Sequence, residues 1–352
     1  MADLSKCLIY GAYGYTGDLI ARRAAEQGAR PILAGRSATK LAPLVEELGL
    51  PQRVFGLDDP KALDAGLEGV DVVIHAAGPF SRTSKPMVDA CLRTGTHYLD
   101  ITGEIDVFEA CAARDAEAQA AGVMVMPGVG FDVVPSDCLA NYLGDRLPEA
   151  THLVLAFASM GGKTSHGTAT TMVESLGRPN LVRRDGRITE VRLGKLRRDI
   201  DFGRGPQPTV SIPWGDVSTA YSSTGIPNIE VYTAVPRAAQ VGARVVGFLG
   251  GLLASGPIQR IAQGRVDAGP AGPTDAQRAR AHSVFFGEAR AGARTVRARL
   301  RVPEGYTLTA MASLVIAERV LDGAWAAGYR TPAMMYGADF VLEFDGAERT
   351  DL

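Results

Sequence analysis

Short apolar runs alternate with longer helical patterns over the first 126 positions of the chain. Residues 6–11 (KCLIYG) form an apolar run ending in glycine, and a helical pattern follows from Tyr15 to Gln27. A second apolar run at 31–34 precedes a helix over 38–48, then a third strand at 53–57 and a short helix at 61–67. Residues 70–76 (VDVVIHA) form a β-branched run, as suits a strand buried on both faces of a parallel sheet. A helix over 85–94, a strand at 97–99, an Ala-rich helix over 104–121 and a strand at 123–126 complete the series. This alternation predicts βαβ units. It places the N-terminal part in the α/β class, as a Rossmann-type doubly wound parallel sheet with ligands at the carboxyl ends of its strands.

After Pro127 the rhythm changes. Residues 151–159 read as a strand, 161–167 as a polar Gly-rich loop, and 168–176 as a helix. The charged stretch 183–204 reads as surface, and 228–234 as a strand. Residues 283–290 and 295–302 alternate across Ala291-Gly292, which predicts a hairpin. Strands with few crossovers suggest a separate α+β domain. The strong helical run 307–321 is expected to pack back on the first domain.

Composition limits the function classes. A chain of 352 residues suits two domains. A net charge of −2 leaves no basic face for nucleic acid. The N-terminus lacks the pattern of a signal peptide, and Cys7, Cys91, Cys111 and Cys138 include no CxxC pair. The expectation is a cytoplasmic protein with reduced thiols and no metal. The Gly-rich apolar stretch 241–262 is interrupted by Arg244 and Arg260, too closely spaced for the roughly 20 residues of a spanning helix. It is expected to be a buried or amphipathic helix, with contact to a membrane surface or an apolar partner as the alternative.

The sharpest chemical signal lies between the first strand and the first helix. Gly11-Ala12-Tyr13-Gly14-Tyr15-Thr16-Gly17 has the glycine spacing of a dinucleotide-binding turn. Gly11 makes the turn, Gly14 lets a diphosphate approach the backbone, and Gly17 lets the helix pack close. Amides at the helix start, with Thr16 as a further donor, favour phosphate. The second strand runs into Gly35-Arg36-Ser37, with no acidic residue for a ribose 2′-OH. Arg36 and Ser37 suit a 2′-phosphate instead, which selects NADP(H), while Ser37 also reads as a helix N-cap. Asp58 is a candidate for the adenine amino group or for a cap. Ala77, Gly78, Pro79 and Phe80, after the fourth strand, are expected over the diphosphate and nicotinamide ribose.

Taken together, these segments resemble the saccharopine dehydrogenase-like family. GAYGYTG at 11–17, LAGRS at 33–37, AAGPF at 76–80, YLDITGE at 98–104 and PGVGFDVVPSD at 127–137 resemble its segments in the same order. So do STGIPNIEVY at 223–232, EGYTLTAMA at 304–312 and TPAMMYGADFV at 331–341. The resemblance is strongest to a short bacterial branch that includes trans-acting enoyl reductases. It implies an NADP-binding Rossmann domain over 1–130, an inserted α+β substrate domain over 131–305, and a C-terminal return over 306–352 onto the Rossmann domain. It also implies NADPH-dependent reduction. Two positions depart from the family pattern: Tyr13 stands where relatives usually carry a small Thr, and His166 interrupts an expected Ser-Gly-Gly-Thr.

Hydride transfer needs a proton donor near the developing anion. The candidates are His166, before a predicted helix, and Tyr98 with Asp100, after the fifth strand. Asp132 reads as a cap or hinge, Tyr221 is a weaker candidate, and His75 is expected to be structural. The expected substrate is a small or lipid-like molecule with a polarised C=C, imine or carbonyl group. Opine-type imine reduction is the enzymatic alternative and would draw on Arg178, Arg183 or Arg184 as a carboxylate clamp. A non-catalytic NADP(H) sensor or scaffold is the other. A homodimer is a further expectation.

Overall fold

The computed structural model describes residues 3–162, 164–174, 179–240, 242, 260, 263–266, 269 and 271–352. The chain divides into two compact units, one of residues 1–134 with 306–335 and the other of 135–305 with 336–352.

In the first unit, β1 (Cys7–Tyr10), β2 (Ile32–Gly35), β4 (Val72–His75), β5 (His97–Asp100) and β6 (Met124–Met126) are buried along their whole lengths. Only the edge strand β3 (Gln52–Val54) meets solvent. Helices on both faces explain why these strands are apolar at every position rather than at alternate ones. With the strand Gly328–Tyr329 they make a seven-stranded parallel sheet, in the order Gly328–Tyr329, β6, β5, β4, β1, β2, β3. The order reverses between β1 and β4, the switch point at which doubly wound sheets bind ligands.

The helices are α1 (Tyr15–Glu26), α2 (Ala38–Leu48), α3 (Pro60–Gly66), α4 (Phe80–Thr94), α5 (Ile105–Ala112) and α6 (Asp115–Ala121). Two differ from the sequence expectation. The helix expected at 85–94 begins at Phe80, because the Glu104 carboxylate accepts from the Phe80 and Ser81 amides at 2.8 and 2.9 Å. That cap comes from 24 residues downstream, so no local pattern announces it. The Ala-rich helix expected over 104–121 is two helices, bent at Arg114, whose guanidinium joins Asp89 of α4 to Glu117.

The second unit opens with α7 (Val134–Arg146), whose first residue still counts with the first unit. Its strands are β7 (His152–Met160), β8 (Asn180–Arg184), β9 (Arg187–Val191), β10 (Arg197–Asp201), β11 (Pro206–Ser211), β12 (Asn228–Ala234), β13 (His282–Ala291) and β14 (Arg294–Pro303). The sheet order is β10, β11, β12, β7, β13, β14 and then the strand Glu348–Asp351; β8 pairs with β12 and β9. Among the described strands of this sheet only β7 and β12 pair in parallel. The expected hairpin at 283–302 is present, with Gly292 at φ +59° in its turn. The stretch 183–204, read as charged surface, instead enters β8, β9 and β10. Arg183 in β8 is buried, while Arg187 in β9 is exposed. Helix α7 seats on β13 at Gly287, where a Cβ would lie 2.5 Å from Leu143.

The expected return of 306–352 is divided. The helix Gly305–Leu321 and the strand Gly328–Tyr329 fall in or border the first unit, whereas 336–352 joins the second. The last strand pairs with β14, and Asp351 accepts from the Tyr142 hydroxyl at 2.7 Å. A four-residue polar strand carries no apolar signal, which is why the sequence did not separate it. The stretch 241–262, apart from Gly242 and Arg260, and Arg178 lie outside the described residues. Among the described residues no helix is long and apolar enough to cross a membrane.

Candidate functional site: a dinucleotide cradle

The turn after β1 is shaped by contacts that only glycine permits. Gly11 has φ +84°, and its amide and that of Ala12 both donate to the Ala34 carbonyl of β2. A Cβ on Gly11 would meet Ala77 at 2.8 Å, so the glycine turn and the loop after β4 lie against one another. A Cβ on Gly17 would lie 2.3 Å from the Gly11 carbonyl oxygen. Helix α1 is therefore seated directly on the turn, with Gly14 as its N-cap. The first-turn amides of a helix have no intrahelical acceptor, and with the helix dipole they favour an anion. Thr16 sits in this first turn. The neighbouring Tyr15 packs its ring edge-on against Tyr306, with centroids 5.1 Å apart.

At the end of β2, Tyr13 lies against Gly35, and Arg36 is exposed with no ion pair among the described residues. Ser37 is the N-cap of α2 and accepts from the Lys40 amide at 3.4 Å, so the capping role weighed against phosphate contact is realised. Asp58 is exposed just ahead of α3, whose cap is Asp59.

In the loop after β4, Ala77 and Pro79 are half-buried and Gly78 is exposed. Phe80 is less available than expected: its amide is taken by Glu104, and its ring packs perpendicular to His75 at 5.5 Å. His75 is fully buried among Tyr10, Phe80 and Tyr98. Burial pushes its pKa down to about 3, which makes it a neutral, structural histidine.

The structure brings Tyr98 and Asp100 together and seals them. Both are fully buried, and the Tyr98 hydroxyl donates to Asp100 Oδ2 at 2.6 Å. Asp100 Oδ1 accepts from the Thr102 and Gly128 amides, each at 2.9 Å. Burial outweighs these bonds and pushes the Asp100 pKa up to about 6. The pair ties the loop after β5 to the loop after β6, and Tyr98, its proton committed to Asp100, has no open surface from which to donate. His166 lies in the second unit, as the first residue of the helix His166–Glu174, its amide donating to the Ala271 carbonyl.

Asp132 is the group that the sequence understated. Its Oδ2 lies 2.6 Å from where a Cβ on Gly103 would be, which puts the carboxyl between the loops after β5 and β6. Just after it, the Val133 and Val134 amides donate to the Gly130 carbonyl. Burial alone pushes its pKa up to about 7. Of the possible arginine clamp, Arg183 donates to the Val217 and Gly186 carbonyls and lies over the Tyr221 ring, while Arg184 pairs with Glu230.

A seven-stranded parallel sheet with a glycine cradle at its switch point, and a cation where an NAD site would carry a carboxylate, defines the class: an NADP-binding Rossmann protein. Residues 7–126 match the family model described as the saccharopine dehydrogenase NADP binding domain. Over 98% of its length the chain superposes on apo saccharopine dehydrogenase (L-Glu forming) from Saccharomyces cerevisiae, covering 99% of that chain with a TM-score of 0.68. At 14% identity that likeness shows a shared two-domain fold. A trans-acting enoyl reductase of Mycobacterium leprae is 32% identical over 219 residues, which cover 57% of this chain and 52% of that protein. A putative trans-acting enoyl reductase of Mycobacterium tuberculosis is 33% identical over 188 residues, covering 48% and 43% respectively. The matched region thus spans about half the length of these curated relatives.

Proposed function

We propose that the protein is an NADPH-dependent reductase that acts on a small or lipid-like substrate with a polarised C=C, an imine or a carbonyl group. The observation that carries this reading is the cradle itself: Gly11 and Gly17 have no room for a side chain, and Arg36, in no ion pair among the described residues, stands at the end of the adjacent strand. These residues fit the cofactor. The Gly11–Gly17 turn and the start of α1 would hold its diphosphate, and Arg36 its 2′-phosphate. When bound, NADPH supplies a hydride from its nicotinamide ring.

The chain's own contribution is a proton. Burial raises Asp132 to about 7, so at neutral pH its carboxyl, set between two loops at the ligand-binding edge of the sheet, is divided between acid and anion and can give up a proton. The buried Tyr98–Asp100 pair fixes those loops in place. The names of the curated relatives favour an enoyl substrate over an imine. The state of Arg183 and Arg184, both committed within the second unit, weighs against an opine-type carboxylate clamp. Four buried, unbridged cysteines suit a reducing, cytoplasmic setting.

The test is NADPH oxidation, followed by its fluorescence, with an enone, a preformed imine and a keto acid–amine pair. Oxidation with the enone is the expected outcome. Turnover of the keto acid–amine pair alone would point to opine chemistry, and tight NADPH binding with no turnover of any compound would point to a sensor.

A further inference from the structure

The end of β2 holds an arrangement that the glycine motif does not require. Tyr13 occupies a variable position of that motif, and its ring lies on Gly35. A Cβ at position 35 would meet Tyr13 Cε1 at 2.5 Å, Cδ1 at 3.1 Å and Cζ at 3.3 Å. Gly35 is thus the seat of the Tyr13 ring. Tyr13 is half-buried, yet its hydroxyl has no hydrogen-bond partner among the described residues. The hydroxyl is not among the sealed, unpartnered polar atoms, so it is open to solvent and to a ligand.

Its surroundings show what the hydroxyl lacks. The nearby Tyr10 hydroxyl is already spent, donating to the Phe55 carbonyl at 3.0 Å. Tyr10 is pushed up to about 12, first by burial, and it also feels Tyr13, Arg36 and Asp58, so all three converge on this corner. Of these, Arg36 is an exposed guanidinium without a counter-ion among the described residues. A hydroxyl donor and a guanidinium in no ion pair among the described residues therefore stand together, with the Asp58 carboxylate near them, where the adenosine ribose of a Rossmann ligand lies. An anion with several acceptor oxygens satisfies both at once. A neutral ribose hydroxyl satisfies neither fully.

We propose that Tyr13 is a second specificity-determining residue for the cofactor's 2′-phosphate: seated on Gly35, it donates its hydroxyl to the phosphate that Arg36 pairs with. This rests on the NADP reading above and adds a residue to it. Gly35 then serves recognition as well as the strand, since any side chain there would displace the ring.

The experiment is Tyr13→Phe, which keeps the ring and its seat and removes only the hydroxyl. Dissociation constants for 2′,5′-ADP, ADP, NADPH and NADH are measured on the full chain. The expected result is about tenfold weaker binding of 2′,5′-ADP and NADPH, in line with a lost hydrogen bond to a charged group. ADP and NADH should change by less than about twofold, on the same reasoning. Tyr13→Thr, which removes the ring as well, should lose the same selectivity. Equal weakening of all four ligands, or unchanged NADPH binding, would overturn the proposal while leaving the cofactor reading intact. A wild-type protein that binds neither 2′,5′-ADP nor NADPH would overturn both.

Discussion

Two aspartates at the carboxyl edge of the first sheet are held in opposite ways. Asp100 is sealed and bonded to a hydroxyl and two amides, so burial raises it only to about 6. For Asp132 burial acts without an opposing hydrogen bond among the described residues, and it rises to about 7. An Asp in either setting is easily taken for a cap, since both lie near a helix start in sequence. Which one keeps its proton depends on neighbours such as Gly103, about 30 residues away in the chain, and that is why sequence reading ranked Tyr98 and Asp100 above Asp132. If Asp132 is the proton donor, Asp132→Asn should lower kcat on the compound that wild type reduces by about 10²- to 10⁴-fold, the usual scale of general acid catalysis. The wild-type rate should fall as pH rises through about 7, and the residual rate of the variant should not. Stability carries the same signature. The folded pKa lies above the unfolded value, so the carboxyl's contribution is complete below about pH 4 and is lost as pH rises through about 7. Melting curves between pH 4 and 8 should therefore decline less steeply for Asp132→Asn. An identical slope would remove Asp132 from the account.

At the scale of elements, the βαβ rhythm was legible because its cause is local. Strands buried on both faces must be apolar throughout, and the runs at 6–11, 31–34, 70–76 and 97–99 all became strands of the first sheet. What escaped notice depends on distant partners. The early start of α4 needs Glu104, the bend at Arg114 needs Asp89, and the last strand needs β14. The glycine motif lies between these cases. Its spacing is visible in sequence, but the close approach that makes Gly17 obligatory shows only in three dimensions. Gly17→Ala would drive a methyl group into the Gly11 carbonyl and lift α1 off the turn. The expected cost is about 1–3 kcal/mol in denaturant unfolding, typical of overpacking, with a loss of NADPH binding larger than global stability alone explains. Binding and stability both unchanged would mean that the turn is more forgiving than its contacts indicate.

For the molecule as a whole, the chain resembles yeast saccharopine dehydrogenase in fold over 98% of its length, while its sequence match spans about half the length of the mycobacterial relatives. The N-terminal unit carries the dinucleotide chemistry; the second unit carries a mixed sheet with ion pairs such as Arg184 with Glu230 and Arg297 with Glu288. Everything proposed for the reaction depends on the first of these units taking up NADP(H). The most direct measurement is calorimetric titration of NADPH and NADH into the full chain and its Arg36→Asp variant. The account predicts uptake of NADPH by wild type, weakened in the variant by about 1–3 kcal/mol for the lost charged contact, with NADH affected far less. Absence of heat for both nucleotides, or equal weakening of both by the substitution, would contradict it.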